Sequence, residues 1–127
     1  MLLDTCFLID LQREFTSGQV GPARAFLGAS PDNRFAISVI SAVEFMEGFA
    51  DTPEGERLLR PFAWMDVDAE ISRVAARIRR DLRLRGLLIG DFDILIAATA
   101  MAARQPLVTD NVDHFSRVDG LQVMGYR

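Results

Sequence analysis

Three carboxylates, Asp4, Glu44 and Asp93, each stand where an apolar strand-like or loop segment gives way to a helix-like one. They are far apart in the chain yet alike in local context. In a parallel α/β sheet such junctions fall on one edge, at the carboxyl ends of the strands, so acids this widely spaced can converge in one pocket. Gathered like charges repel one another unless a cation holds them, and hard carboxylate oxygens favour Mg2+ or Mn2+. The pattern points to metal-assisted chemistry on a phosphate.

Each acid also has a purely structural reading. Asp4 can be a turn former or helix cap. Glu44 lies three residues after Ser41, the S-x-x-E spacing of a capping box. Asp93 has a rival in Asp91, and either can cap the following helix. Asp93 directly precedes the apolar run ILIAATA, so Asp91 is assigned a supporting or surface place. Thr5 and Thr109 carry hydroxyls able to orient carboxylates or water. The single histidine, His114, stands in a polar turn near Asp110 and Asp113 and reads as a solvated side chain, outside the chemistry. Cys6, also single, has no neighbouring base to make a thiolate and reads as a packed small side chain.

The segments that must position these residues alternate in type. Met1–Leu3 is a short apolar run entering Asp4, and Phe7, Leu8, Leu11 and Phe15 follow at helical spacing. Thr16–Pro22, with two glycines and a proline, reads as a loop before a short helix over Ala23–Leu27. Arg34–Ile40 is rich in strand formers and changes period at Ser41, where a helix starts that stops near Gly48. Thr52 then caps, and Pro53 opens, a helix through Arg60, and Phe62–Val67 reads as a strand. The longest helical signal spans Asp68–Arg85, with Ile71, Val74, Ala75, Ile78 and Leu82 on one face and Gly86 as its C-terminal cap. Asp93–Arg104 is apolar almost all round, which predicts an interior helix. A buried strand over Pro106–Thr109, a turn or short helix over Asn111–Phe115 and a last strand over Leu121–Met124 complete the chain. Alternating strands and helices joined by right-handed crossovers give a three-layer α/β/α sandwich with a mostly parallel sheet.

The 127 residues, half of them hydrophobic, fit one domain spanning 1–127 with a core that needs no disulfide. A formal charge of −4 argues against a protein that coats nucleic acid nonspecifically, while leaving room for a local basic patch. All fourteen cationic side chains are arginine, well suited to bidentate phosphate contacts. Arg73, Arg77 and Arg80 share a helical face, with Arg79, Arg83 and Arg85 beside it. The series reads as a solvated helix surface, as a strip that tracks RNA phosphates, or as a seat for an acidic partner. No apolar run is long enough for a bilayer and no leader pattern is evident, so the expected location is the cytoplasm, without a membrane partner.

Three segments together resemble the PIN-domain nucleases, and within them the toxins of the VapBC toxin-antitoxin class and their FitB-like relatives. LLDTCFLIDL is similar to the family's first strand and its aspartate, and ISVISAVEFMEG to the segment that bears its glutamate. IGDFDILIAATAMAARQPLVTDNVDHFSRVDGLQV is similar to its C-terminal half, where an Asp opens a DxxIAA helix and a T-x-[DN] turn follows the next strand. By position the resemblance makes Asp4, Glu44 and Asp93 the metal-binding and catalytic acids, and puts the fourth polar position at Asn111. Many family members have Asp there and some have Asn. An Asn can coordinate through its carbonyl oxygen but adds no negative charge, so Asp110 or Asp113 can contribute instead. The resemblance further implies a Mg2+- or Mn2+-dependent endoribonuclease and the toxin of a type II pair. With these go a homodimer and a VapB-like antitoxin whose C-terminal segment blocks the groove.

Two other classes stand beside this one. A receiver-type signalling module has similar length and acids at strand ends, but relies on a lysine, and this chain has none. A PIN fold kept for binding alone is the other, for which Asn111 leaves room. Nucleotide-binding α/β enzymes are disfavoured by the lack of a G-x-G-x-x-G or G-K-[ST] loop.

Overall fold

The apolar runs form five short strands, β1 (Leu2–Leu3), β2 (Ala36–Ser38), β3 (Ala63–Met65), β4 (Leu107–Val108) and β5 (Val123–Met124). The structure is a computed structural model describing residues 1–127. All four strand pairings are parallel and the order across the sheet is β3-β2-β1-β4-β5. The chain winds from β1 outward to β3, then crosses back to lay β4 on the other side of β1. The resulting switch point lies between β1 and β4, the place where open parallel sheets form a crevice at their carboxyl edge. This order differs from the 2-1-3-4-5 arrangement of receiver-like folds, which removes the signalling alternative.

Seven helices cover the two faces: α1 (Thr5–Ser17), α2 (Pro22–Ala29), α3 (Val39–Met46), α4 (Thr52–Leu59), α5 (Ala69–Leu84), α6 (Asp91–Ala102) and the single turn α7 (Val112–Phe115). Successive strand residues point to opposite faces. Leu2 and Leu107 enter a core with Ile71, Ile78 and Leu82 of α5, Ile94 and Ile96 of α6 and Phe115 of α7. Leu3, Ile37 and Val108 enter the other, with Phe7, Leu8 and Leu11 of α1 and Phe45 of α3. The predicted apolar face of α5 is buried residue for residue. Its end is set by Gly86 at φ 68°, with the Gly86 and Leu87 N–H groups returning to the carbonyls of Arg83 and Leu82. No helix is long and apolar enough to cross a membrane.

Several helix starts differ from expectation, α2 beginning at Pro22 rather than Ala23 among them. Helix α3 begins at Val39 with Ser38 as cap, three residues before Ser41, and α4 is preceded by Asp51 rather than Thr52. Helix α6 begins at Asp91, so Asp93 is its third residue instead of its first.

Candidate active site

The site is built from the carboxyl edge of the sheet. Asp4 immediately follows β1 and is 5% exposed. It caps α1 by accepting from the Thr5 N–H at 2.8 Å through Oδ1. Its Oδ2 accepts from the Thr109 hydroxyl at 2.7 Å and from the Cys6 thiol at 3.2 Å. Thr109 follows β4, so this bond closes the switch point directly. The capping role of Asp4 is therefore real and coexists with its place in the cluster.

Glu44, on α3, accepts from the Thr5 hydroxyl at 2.7 Å, a bond between two helices rather than within one. The capping-box reading fails. Ser38 is the cap, accepting from the Ile40 N–H at 3.1 Å, whereas the Ser41 hydroxyl is buried without a partner. Asp93, in the first turn of α6, lies with Oδ2 2.9 Å from His114 Nε2. His114 is thus part of the cluster, contrary to its reading as a solvated side chain. Its sequence context is polar, but α7 packs it against the first turn of α6.

Electrostatics tie the three acids together. Burial raises the Asp4 carboxyl above its ordinary value against the pull of its hydrogen bonds, and the Asp93 charge adds to the rise. Burial also raises Glu44, with further contributions from Asp93 and Asp4 and opposition from Thr5. Burial and the Asp4 charge push the Cys6 thiol up to about 12, which keeps it protonated and able to donate.

The remaining expected residues lie around this centre. The Asn111 N–H donates to Thr109 Oγ1 at 3.0 Å while its side chain is exposed. Asp110 is held by Arg127 at 3.2 Å, and Asp113 is exposed on the outside of α7. Asp91 is paired with Arg79 at 3.0 Å on the surface. Arg73, Arg77 and Arg80 are exposed on α5.

A family model described as the PIN domain matches residues 1–121. The chain belongs to the PIN-domain family. A ribonuclease VapC1 of Methanocaldococcus jannaschii is 34% identical over 122 residues, spanning 93% of this chain and 80% of the relative. A toxin-antitoxin complex from Klebsiella pneumoniae contains a chain that superimposes with a TM-score of 0.74 at 27% identity, covering 97% of this chain and 94% of that one. The VapBC2 structure from Rickettsia felis, bound to a promoter DNA fragment, gives a TM-score of 0.84 at 24% identity. That match spans 99% of this chain and 98% of its counterpart, and shows likeness of fold.

In this PIN domain no three His, Cys, Asp or Glu side chains form a ready-made ligand cage. The donor set nevertheless fits a hard divalent ion. Mg2+ keeps several waters and takes only one or two carboxylates, and Asp4, Glu44 and Asp93, near enough for their charges to act on one another, are the oxygen donors that would hold it. A cavity of about 610 Å³ lies elsewhere, as an apolar groove lined by Leu8, Leu11 and Phe15 of α1 with Leu27, Leu58 and Phe62.

Proposed function

We propose that this PIN domain is an endoribonuclease that hydrolyses RNA phosphodiester bonds with Mg2+ or Mn2+ held by Asp4, Asp93 and Glu44, and that it is the toxin of a type II pair. The observation that carries the reading is the approach of Asp4 after β1, Glu44 on α3 and Asp93 in the first turn of α6, with Asp4 bonded to Thr109 across the β1–β4 switch point and Glu44 to Thr5. When bound, a divalent ion supplies a water of lowered pKa and offsets charge on the phosphoryl oxygens. Asp4, held by donors at both oxygens and 5% exposed, forms the floor of the site. Glu44, anchored at one oxygen by Thr5, keeps Oε2 to orient the attacking water. In-line attack by water leaves a 5'-phosphate and a 3'-hydroxyl and needs no 2'-hydroxyl nucleophile. Asn111, set by its backbone on Thr109, is the neutral fourth position.

The antitoxin is proposed from relatives, one of which is a toxin-antitoxin complex. The apolar groove along α1, with Phe15 62% and Leu58 45% exposed, offers it a seat on the helix that starts at the site. A homodimer belongs to the same reading, and exposed Leu84, Leu87, Leu88 and Phe92 supply an apolar face for it.

The test is cleavage of single-stranded RNA by the purified chain with Mn2+, with the product ends mapped and Asp93→Asn as control. Cleavage should vanish in chelator and fall at least about 100-fold in a folded Asp93→Asn protein, beyond the cost of losing a supporting partner. Cleavage that persists in chelator overturns the metal. Undiminished Mn2+ affinity in Asp93→Asn removes Asp93 from the ligand set, and absence of cleavage by the wild type returns the chain to the binding-only reading.

A further inference from the structure

We infer that His114 is a positioning residue, whose imidazole N–H holds one oxygen of the Asp93 carboxylate and leaves the other for the metal. The inference rests on the proposed reading of Asp93 as a metal-binding acid. Each acid of the cluster takes a side-chain donor from a distant segment. Thr109 serves Asp4 across 105 residues, Thr5 serves Glu44 across 39, and His114 serves Asp93 across 21. A carboxylate torsion is broad and two-fold, so an Asp in the first turn of a helix has no fixed plane unless a partner holds one oxygen. For Asp93 that partner is Nε2 at 2.9 Å, and its Oδ1 has no protein donor.

The imidazole is itself held. Helix α7 is a single turn, too short to persist alone, but Phe115 (1% exposed) and Val118 (4%) pin it to the core. The His114 ring stands edge-on to Phe115, centroids 5.5 Å apart at 89°. The His114 and Asp93 side chains are only 25% and 30% exposed, so water does not displace the bond as it would on an open surface. An ionised carboxylate only accepts, so Nε2 carries the hydrogen and the neutral ring is the Nε2–H tautomer. Partners that orient ligating groups in this way typically change metal affinity or activity by 10- to 100-fold when removed.

Because His114 is the only histidine, its imidazole nitrogens give one assignable pair of signals. The test compares His114→Leu, His114→Gln and Asp93→Ala with the wild type. The readouts are Mn2+ affinity by calorimetry, kcat and KM on a single-stranded RNA, and imidazole nitrogen shifts in alkaline, metal-free buffer. His114→Leu should weaken Mn2+ binding and lower kcat about tenfold or more with KM little changed, and His114→Gln, whose amide N–H can occupy the Nε2 place, should regain most of both. Asp93→Ala should move the Nε2 signal as its N–H loses the carboxylate acceptor. Wild-type affinity and kcat in His114→Leu overturn the proposal while leaving the nuclease reading intact. Equal losses in Leu and Gln with a lowered melting temperature overturn it in favour of packing. A wild type that neither binds Mn2+ nor cuts RNA removes the nuclease reading, and nitrogen shifts unchanged by Asp93→Ala then overturn the contact as well.

Discussion

At the scale of the residue, Asp4 carries the sharpest conflict, a carboxylate 5% exposed beside two other acids. Its pKa in the folded protein is raised above the ordinary value of 3.8, so the folded state binds the proton more tightly than the unfolded chain does. Stability from this group is present in full below the unfolded value and is lost as pH rises past it towards the raised folded value. Glu44 acts in the same direction. In chelator, Asp4→Asn should therefore melt higher than the wild type, by a margin that grows as pH rises above 3.8 and shrinks when Mn2+ is added. Melting curves of the two proteins across pH check this, and a margin independent of pH would remove the burial argument. The junction position of Asp4 was enough to place it at the carboxyl edge of the sheet, because it directly follows β1, whereas Glu44 lies six residues past the end of β2 and Asp93 follows a loop rather than a strand, so their approach to Asp4 depends on how α3 and α6 pack. The place of His114 was not legible. Its contact with Asp93 arises only after β4 pairs with β1 and swings α7 over the start of α6, and nothing within the segment DNVDHF encodes that.

At the scale of the element, α3 shows how packing overrides local preference. The run RFAISVI is β-branched and reads as strand through Ile40, yet β2 ends at Ser38, and Val39 and Ile40 turn into the helix. Two serines stand near that boundary, and the one that caps is the one whose hydroxyl meets a free N–H. Ser38→Ala should cost about 1 kcal/mol, or roughly 4 °C in melting temperature, as the loss of a helix cap. Ser41→Ala should cost little or stabilise, because it removes a buried hydroxyl that has no partner. Glu44→Gln keeps an oxygen for Thr5, so it should melt near the wild type while cleaving poorly. Thermal melts of the three variants beside an RNA cleavage assay decide the matter. A larger loss in Ser41→Ala than in Ser38→Ala would restore the capping box, and full cleavage by Glu44→Gln would return that acid to a structural role. The long helices were legible for the opposite reason: α5 has a clean amphipathic period and a glycine stop, and α6 is apolar on every face.

At the scale of the whole molecule, alternation of strand and helix signals was sufficient for the layers, but not for the order of the strands. That order depends on pairings such as Leu2 with Leu107, which no local pattern records, and it is what separates this sheet from a receiver-like one. The same arrangement settles where charge sits. A chain of net charge −4 with three acids at its crevice repels RNA, so binding requires cations near the rim. Arg79 is bonded to Asp91, two residues before Asp93, which brings the middle of α5 beside the start of α6. Arg73, Arg77 and Arg80 on that helix are exposed and enter no ion pair with an acid, leaving their charge available. If they track the RNA backbone, replacing all three with Ala should raise KM, leave kcat and the melting temperature nearly unchanged, and flatten the dependence of log binding constant on log salt by about 2. The last figure follows from about 0.7 per phosphate contact for a single strand. Binding of a catalytically silent Asp93→Asn protein to labelled RNA across a salt series measures the slope without cleavage. An unchanged slope would assign the strip to solvent, or to an acidic surface of the antitoxin if the triple variant escapes inhibition. A reduced slope with unaltered kcat would show that the acids perform the chemistry while the arginines hold the strand against their repulsion.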